Sequence, residues 1–196
     1  MPRPGYLTPS TFNALMTTGK NTPFGGTAMA VVNQMALDLA GVEREEDQFN
    51  GVACEWGKEH EPLAILGYSE AKFCPVLSAD FASSPDLSYV GGTADGLVGT
   101  DGGVEIKCPY NSINHAQNSE NLKKNYRWQL QGYMWIYALN WMDFVSFDPR
   151  FPAELQLKII HVKRDDGMIK RLRQRCIDAY EMAEAITYEI RKTNAQ

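Results

Sequence analysis

The sequence predicts a mixed α/β domain, a sheet flanked by helices, spanning residues 1–196 as one unit. Three observations predict it. The apolar residues have a helical period before about residue 72, then switch to a period of two between Phe73 and Cys108. Helical spacing returns in "NYRWQLQGYMWIYALNW", between that strand-rich stretch and two further strand patterns. A long amphipathic run then closes the chain from Asp165 to about Lys192.

The elements follow in order. "TPSTFNALM" reads as a short helix capped by Thr8 or Ser10. "GKNTPFGG" is a Gly/Pro loop, and "TAMAVVNQMALDLAG" is an apolar-rich helix closed by Gly41. "VACEWGKEHEPLAILGYSEAK" has a helical pattern, but Pro62 lacks a backbone N–H, so the helix is expected to kink there or to restart with Pro62 in its first turn. "FCPVLS", "LSYVGG", "TADGLVG" and "GGVEIKC" read as short strands separated by Gly, Asp and Ser turns. "MDFVSFD" and "ELQLKIIHVKR" are two more, and in the latter Leu155, Leu157 and Ile159 predict one buried face.

Composition narrows the functional classes. No apolar run is long enough to cross a membrane, and "MPRPGYLTPS" has no signal-peptide core, so an intracellular, cytoplasmic location is expected. Cys54, Cys74, Cys108 and Cys176 form no C-x-x-C pair, which predicts reduced thiols rather than metal or cluster ligands. The net charge of −5 argues against a protein that simply coats nucleic acid. Local basic patches exist nonetheless: Lys123, Lys124 and Arg127; Lys163 and Arg164; and Lys170, Arg171, Arg173 and Arg175. Each by itself also fits a solvated helix face.

The chemistry gathers in "GGTADGLVGTDGGVEIKCP". A tight turn around "GTDGG" would fold two strands back on one another, at a separation of about 4.8 Å, and bring Asp95 beside Glu105. Two carboxylates so placed suit a hard divalent cation. Lys107, two residues after Glu105, points to the same side of its strand and can hold or deprotonate an attacking water. Gln129 is a polar amide in an apolar helical stripe with Tyr126, Tyr133, Ile136 and Tyr137, and such a group needs partners. Gln131 points roughly the other way, so one of the two glutamines should face the site. Upstream, Glu55, Glu59 and Glu61 in "EWGKEHE" offer a further acid, which could complete a second metal position.

Taken together, "RPGYLTPS", "EWGKEHE", "GTADGL…GGVEIKCP" and "RWQLQGYMW" resemble the phage lambda exonuclease family, alkaline exonucleases of the PD-(D/E)XK nuclease superfamily. The resemblance runs from Arg3 to the last helix. It implies that Asp95 and Glu105 are the metal-binding acids, that Lys107 is the active-site lysine, that Glu61 is the acid from the upstream helix, and that Gln129 lies against the site. It implies that the Ile106 carbonyl is a ligand, with Asp95 bridging two Mg²⁺ ions (Mn²⁺ substituting), Glu105 and Ile106 on the first and Glu61 on the second. Arg3, Ser10 and Thr93 match the residues that hold a terminal 5′-phosphate. Physics supports two of these, since an arginine binds phosphate bidentately and Ser10 lies at a helix start. Asp86 matches an additional acid more weakly. The segment "CPYNSINHAQ" lacks a basic residue where the family has one, so either His115 substitutes or 5′-phosphate recognition is weaker here.

The resemblance further implies a 5′-to-3′ exonuclease acting on double-stranded DNA ends, releasing mononucleotides and leaving 3′ single-stranded tails. A homotrimeric ring and a single-strand annealing partner are implied with it. In such a ring Lys20, Lys123, Lys124, Arg127 and part of the Lys170–Arg175 group would face the DNA, and Glu43, Glu45, Glu46 and Asp47 would lie outside. The competing readings are an endonuclease of the same superfamily, a non-catalytic module that binds DNA ends, and a structural cation site unrelated to DNA.

Overall fold

The computed structural model describes residues 3–44 and 51–193. Helices α1 (Pro9–Leu15), α2 (Gly26–Ala40) and α3 (Val52–Lys72) precede the strands. Five strands form the main sheet: β1 (Val76–Leu77), β4 (Gly96–Val98), β5 (Gly102–Lys107), β6 (Trp141–Phe147) and β7 (Leu157–Lys163). They lie in the order β1-β4-β5-β6-β7, with β5 and β6 parallel and the other pairs antiparallel. Two short strands, β2 (Ala82–Ser83) and β3 (Gly91–Gly92), pair separately.

A parallel pair needs a crossover. Here it is helical: α4 (Ser112–Ala116), α5 (Asn118–Asn121), a π-helical turn (Leu122–Tyr126) and α6 (Arg127–Ile136). A single turn of 3₁₀ helix, Ala153–Leu155, precedes β7, and α7 (Asp166–Thr193) ends the described chain.

Alternation along the strands divides the interior. Val104, Ile106, Val145 and Phe147 meet Ala64 and Tyr68 of α3 on one face. Met142 and Phe144 meet Leu130, Tyr133 and Met134 of α6 on the other. Beyond α6, Trp135 and Ile136 join a third cluster with α1, α2 and α7, which includes Phe12, Leu15, Val32, Leu172 and Cys176. Glu105 alternates with Val104 and Ile106, so its side chain belongs to the α6 face.

Several sequence expectations are corrected. Helix α3 continues through Pro62 as one helix, so it does not restart there. Pro62 and Lys58, whose carbonyl loses its helical donor, are both exposed, so the cost falls on the solvated side of the helix. Thr8 is the N-cap residue of α1, but its side chain caps no backbone N–H and pairs with the Ser10 hydroxyl instead, at 3.1 Å. "FCPVLS" shortens to the two residues of β1, and "LSYVGG" contributes only β3, outside the main sheet. The helix expected over "NYRWQLQGYMWIYALNW" ends at Ile136, and Trp141 already belongs to β6. Leu155 is 48% exposed in the 3₁₀ turn. β7 partly covers both faces, with Leu157 and Ile159 half-buried toward α3 and Ile160 and Val162 half-buried toward α6. Gly41 does close α2, at φ 84°. Glu45, Glu46 and Asp47 lie outside the described residues.

Candidate active site

The turn between β4 and β5 sets the first contact. Gly96 pairs with Val104, Leu97 with Gly103 and Val98 with Gly102. Asp95, immediately before β4, therefore lies beside Glu105 and Ile106, and its Oδ2 accepts the Ile106 N–H at 2.7 Å. Glu105 is not on an edge: β5 is the central strand, and Glu105 is 1% exposed. One of its oxygens, Oε1, accepts both Lys107 Nζ at 2.6 Å and Gln129 Nε2 at 2.5 Å. The other, Oε2, is buried without a hydrogen-bond partner.

The charges interact as their positions dictate. Burial pushes the Glu105 carboxyl up to about 7, with Lys107 opposing the rise and Asp95 adding to it. Burial also raises Asp95, against the pull of Lys107 and the Ile106 N–H. Burial alone would lower Lys107, but Glu105 and Asp95 outweigh it and keep the ammonium protonated above its ordinary value. Lys107 Nζ also stands 5.4 Å from the centre of the Tyr126 ring, which the π-helical turn places against Phe144. Glu61, half-buried on α3, has its carboxyl raised by burial and then by Asp95, with Lys107 lowering it, so it shares the field of the cluster. Glu55 and Glu59 are exposed.

Among the described residues no group of three or more His, Cys, Asp or Glu side chains converges as a complete ligand set. The donors present nevertheless fit a hard cation. Two desolvated carboxylates sit together, one presents an oxygen with no partner, and a third acid lies within their field.

A second feature adjoins this one. A cleft of about 300 Å³ is lined by Arg3, Thr8, Pro9, Ser10, Phe81, Gly92, Thr93 and Tyr133. All three residues carried over as phosphate contacts, Arg3, Ser10 and Thr93, line it. Backbone pairing joins the two features. Leu7 bridges to Val90, and Gly91 N–H donates to the Leu7 carbonyl at 3.2 Å, so the segment bearing Arg3 and Ser10 is tied to β3, which Thr93 and Ala94 link to Asp95. From α6, the Tyr133 hydroxyl donates to the Thr93 carbonyl at 2.9 Å, one turn after Gln129 reaches Glu105.

Two other residues singled out in the sequence lie elsewhere. Asp86 accepts from Trp135 Nε1 at 3.0 Å and from Arg173 Nε, so it braces α6 and α7 rather than joining the acids. His115 is fully buried, its Nδ1 against Ser146 Oγ at 2.8 Å and its Nε2 against the Leu155 carbonyl at 2.9 Å, so it supplies no cation to the site. Gln131 points away as expected, donating to the Lys163 carbonyl and accepting from the Asp165 N–H. The sequence reading missed Thr8, Phe81 and Tyr133 as lining residues. Tyr133, four residues after Gln129, had a detectable signal in that helical spacing. Phe81, remote in sequence from every motif, had none.

Parts of the basic patches serve the fold. Arg175 donates to the Leu15 and Thr17 carbonyls and lies over the Phe24 ring, Arg173 pairs with Asp86, and Arg164 is held by Asp166 and by the Met134 carbonyl. Lys20, Lys123, Lys124, Arg127, Lys163, Lys170 and Arg171 are exposed.

A mixed sheet with helices on both faces, carrying an acid pair and a lysine where β4 meets β5, is the PD-(D/E)XK-like fold, and the protein is a nuclease of that class. Residues 2–139 match the family described as the YqaJ-like viral recombinase domain, and the chain belongs to that family. Its structure is similar to that of an alkaline exonuclease from Laribacter hongkongensis, with a TM-score of 0.86 and 28% identity over 98% of this chain and 95% of that one. The same enzyme in complex with dAMP gives a TM-score of 0.85 at 28% identity over the same shares. A phage-related exonuclease from Haemophilus somnus shares the fold, with a TM-score of 0.76 and 19% identity over 94% of this chain and 96% of that one. No match was found among curated proteins. Among the described residues no helix is long and apolar enough to cross a membrane.

Proposed function

We propose that the protein is a Mg²⁺-dependent 5′-to-3′ exonuclease. It digests the 5′-ended strand of linear double-stranded DNA to mononucleotides and leaves 3′ single-stranded tails for recombination by strand annealing. One observation carries the reading. Thr93, in the cleft with Arg3 and Ser10, stands two residues before Asp95 in the short link between β3 and β4. Two residues of chain span at most about 7 Å, roughly one nucleotide of backbone. An anchored terminal phosphate would thus set the scissile bond one nucleotide inward and fix the product as a mononucleotide.

Asp95, Glu105 and the Ile106 carbonyl would hold one cation, and Asp95 with Glu61 a second. Bound there, divalent cations supply Lewis-acid stabilisation of the charge that develops on the phosphate and leaving oxygens. The chain's own groups do the rest. Lys107, whose Nζ lies 2.6 Å from Glu105 Oε1, would activate the attacking water and hold it in line. Gln129 fixes the Glu105 carboxylate from behind, and Tyr133 fixes the Thr93 backbone. Exposed Lys123, Lys124 and Arg127 beside α6 provide backbone phosphate contacts, which make binding fall with salt.

Sustained digestion calls for an enzyme that stays on its substrate, and a homotrimer around the duplex provides this topologically. A single-strand annealing protein that takes up the 3′ tail is the expected partner. The polarity test uses a linear duplex labelled on one strand at its 5′ end and, separately, at its 3′ end, in Mg²⁺. Immediate release of labelled mononucleotide from the 5′ label alone supports the reading, and early release from the 3′ label overturns it. Light scattering at about three chains per particle supports the ring, and a monomer at micromolar concentration rules it out.

A further inference from the structure

Arg3 is exposed on a loop, yet its guanidinium has a defined seat. Its central carbon stands 4.5 Å from the centre of the Phe81 ring and 5.9 Å from that of Tyr6. The two rings meet edge to face at 5.0 Å with an interplanar angle of 84°. Phe81 is itself placed by the β2–β3 pair. A Cβ on Gly91 would come within 2.8 Å of the Phe81 ring and 2.7 Å of the Ala82 carbonyl, so the ring occupies the space that a side chain at Gly91 would need. The ring forms one wall of the cleft, while Ser10 and Thr93 contribute hydroxyls.

A guanidinium over an aromatic face keeps its N–H groups free at the edges, where they can reach an anion bidentately. An arginine on an exposed loop would otherwise lose rotamer freedom on binding. Leu7 backbone pairing to Tyr89 and Gly91 fixes the loop, and Phe81 with Tyr6 fixes the side chain.

We propose that Phe81 is a specificity-determining positioning residue: its ring, braced by Tyr6, holds Arg3 ready for a terminal phosphate and so sets how strongly the enzyme prefers phosphorylated 5′ ends. The proposal rests on the reading of the Arg3 cleft as the terminal-phosphate site.

The test measures initial rates on linear duplexes that are identical except for a 5′-phosphate or a 5′-hydroxyl, and takes their ratio. Phe81→Leu removes the ring and is expected to lower the ratio by about two- to fivefold, the worth of a cation–π contact at an exposed site. Phe81→Tyr keeps the ring and is expected to retain the wild-type ratio. Arg3→Ala is expected to lower it further, and adding Phe81→Leu to Arg3→Ala is expected to change nothing more. Circular dichroism melts identify any variant that fails to fold. A merely structural role would slow both substrates alike and leave the ratio unmoved, which overturns the proposal, as does a further fall in the double variant. A wild-type ratio near one is a different failure: it overturns the phosphate reading of the cleft itself.

Discussion

Gln129 and Gln131 sit two residues apart on α6, both buried, and their substitution by leucine should have opposite consequences for catalysis. Gln129→Leu removes one of the two donors to Glu105 Oε1, on a carboxylate that is 1% exposed and whose other oxygen has no partner. A hydrogen bond to a charged group is worth about 1.5–3 kcal/mol. If that interaction is expressed in the transition state, kcat/KM falls by about ten- to a hundredfold. Gln131→Leu breaks two backbone contacts instead, to the Lys163 carbonyl at 2.9 Å and from the Asp165 N–H at 2.8 Å. It leaves two part-buried backbone groups without their side-chain partner, at no more than about 1–3 kcal/mol each. At roughly 2–4 °C per kcal/mol for a chain of this size, this lowers the melting temperature by several degrees, and by about 24 °C at most. The folded fraction should still cut at close to the wild-type rate. Thermal melts of both variants, with steady-state digestion well below their transitions, separate the effects. A Gln129→Leu enzyme with unaltered kcat/KM, or a Gln131→Leu enzyme as impaired as Gln129→Leu, would refute the assignment of Gln129 to the Glu105 shell.

Asp95→Asn, Glu105→Gln and Lys107→Ala should each cost about 10²–10³ in rate or more with circular dichroism unchanged, and Asp95→Asn in Ca²⁺ should still bind DNA ends in a gel shift. Arg3→Ala should slow phosphorylated ends far more than hydroxyl ends in a side-by-side digest, and equal slowing would reduce Arg3 to a general backbone contact. Asp148 is fully buried; burial raises its carboxyl, but hydrogen bonds from Arg150 outweigh that and hold it below the ordinary value. A carboxylate with a depressed folded pKa contributes stability that is complete above about pH 4 and lost as pH falls through the lower folded value. The wild type should therefore lose melting temperature below about pH 4 more steeply than Asp148→Asn, and parallel curves would show that the ion pair carries none of the acid sensitivity.

Much of the site was legible because its geometry is local. The Gly-rich turn before Glu105 and the two-residue period from Glu105 to Lys107 determine which side chains meet, and both are written in consecutive residues. Gln129 was legible for a different reason: a lone amide on an apolar helical stripe implies a polar partner across the interface. What escaped depends on contacts between distant segments. Asp86 reads as an acid near the acids, but Trp135 and Arg173 claim it from α6 and α7. His115 reads as a spare cation until Ser146 and Leu155 close around it. The short pairing of β2 with β3 leaves no periodic trace, because Gly91 and Gly92 have no side chains to alternate, and so the seat of Phe81 was invisible. Pro62 misled because proline is costly in a helix, and nothing local says that the freed carbonyl is on the exposed side.

An exonuclease site at Asp95, Glu105 and Lys107 acts only from a DNA end. The most direct test incubates the wild-type protein in Mg²⁺ with one plasmid in two forms, linearised to leave 5′-phosphorylated ends and covalently closed. The linear form is expected to be converted to acid-soluble mononucleotides and half-length single strands, while the closed circle remains intact. Nicking or linearisation of the circle would contradict it and make the protein an endonuclease, and an untouched linear duplex would contradict catalysis altogether.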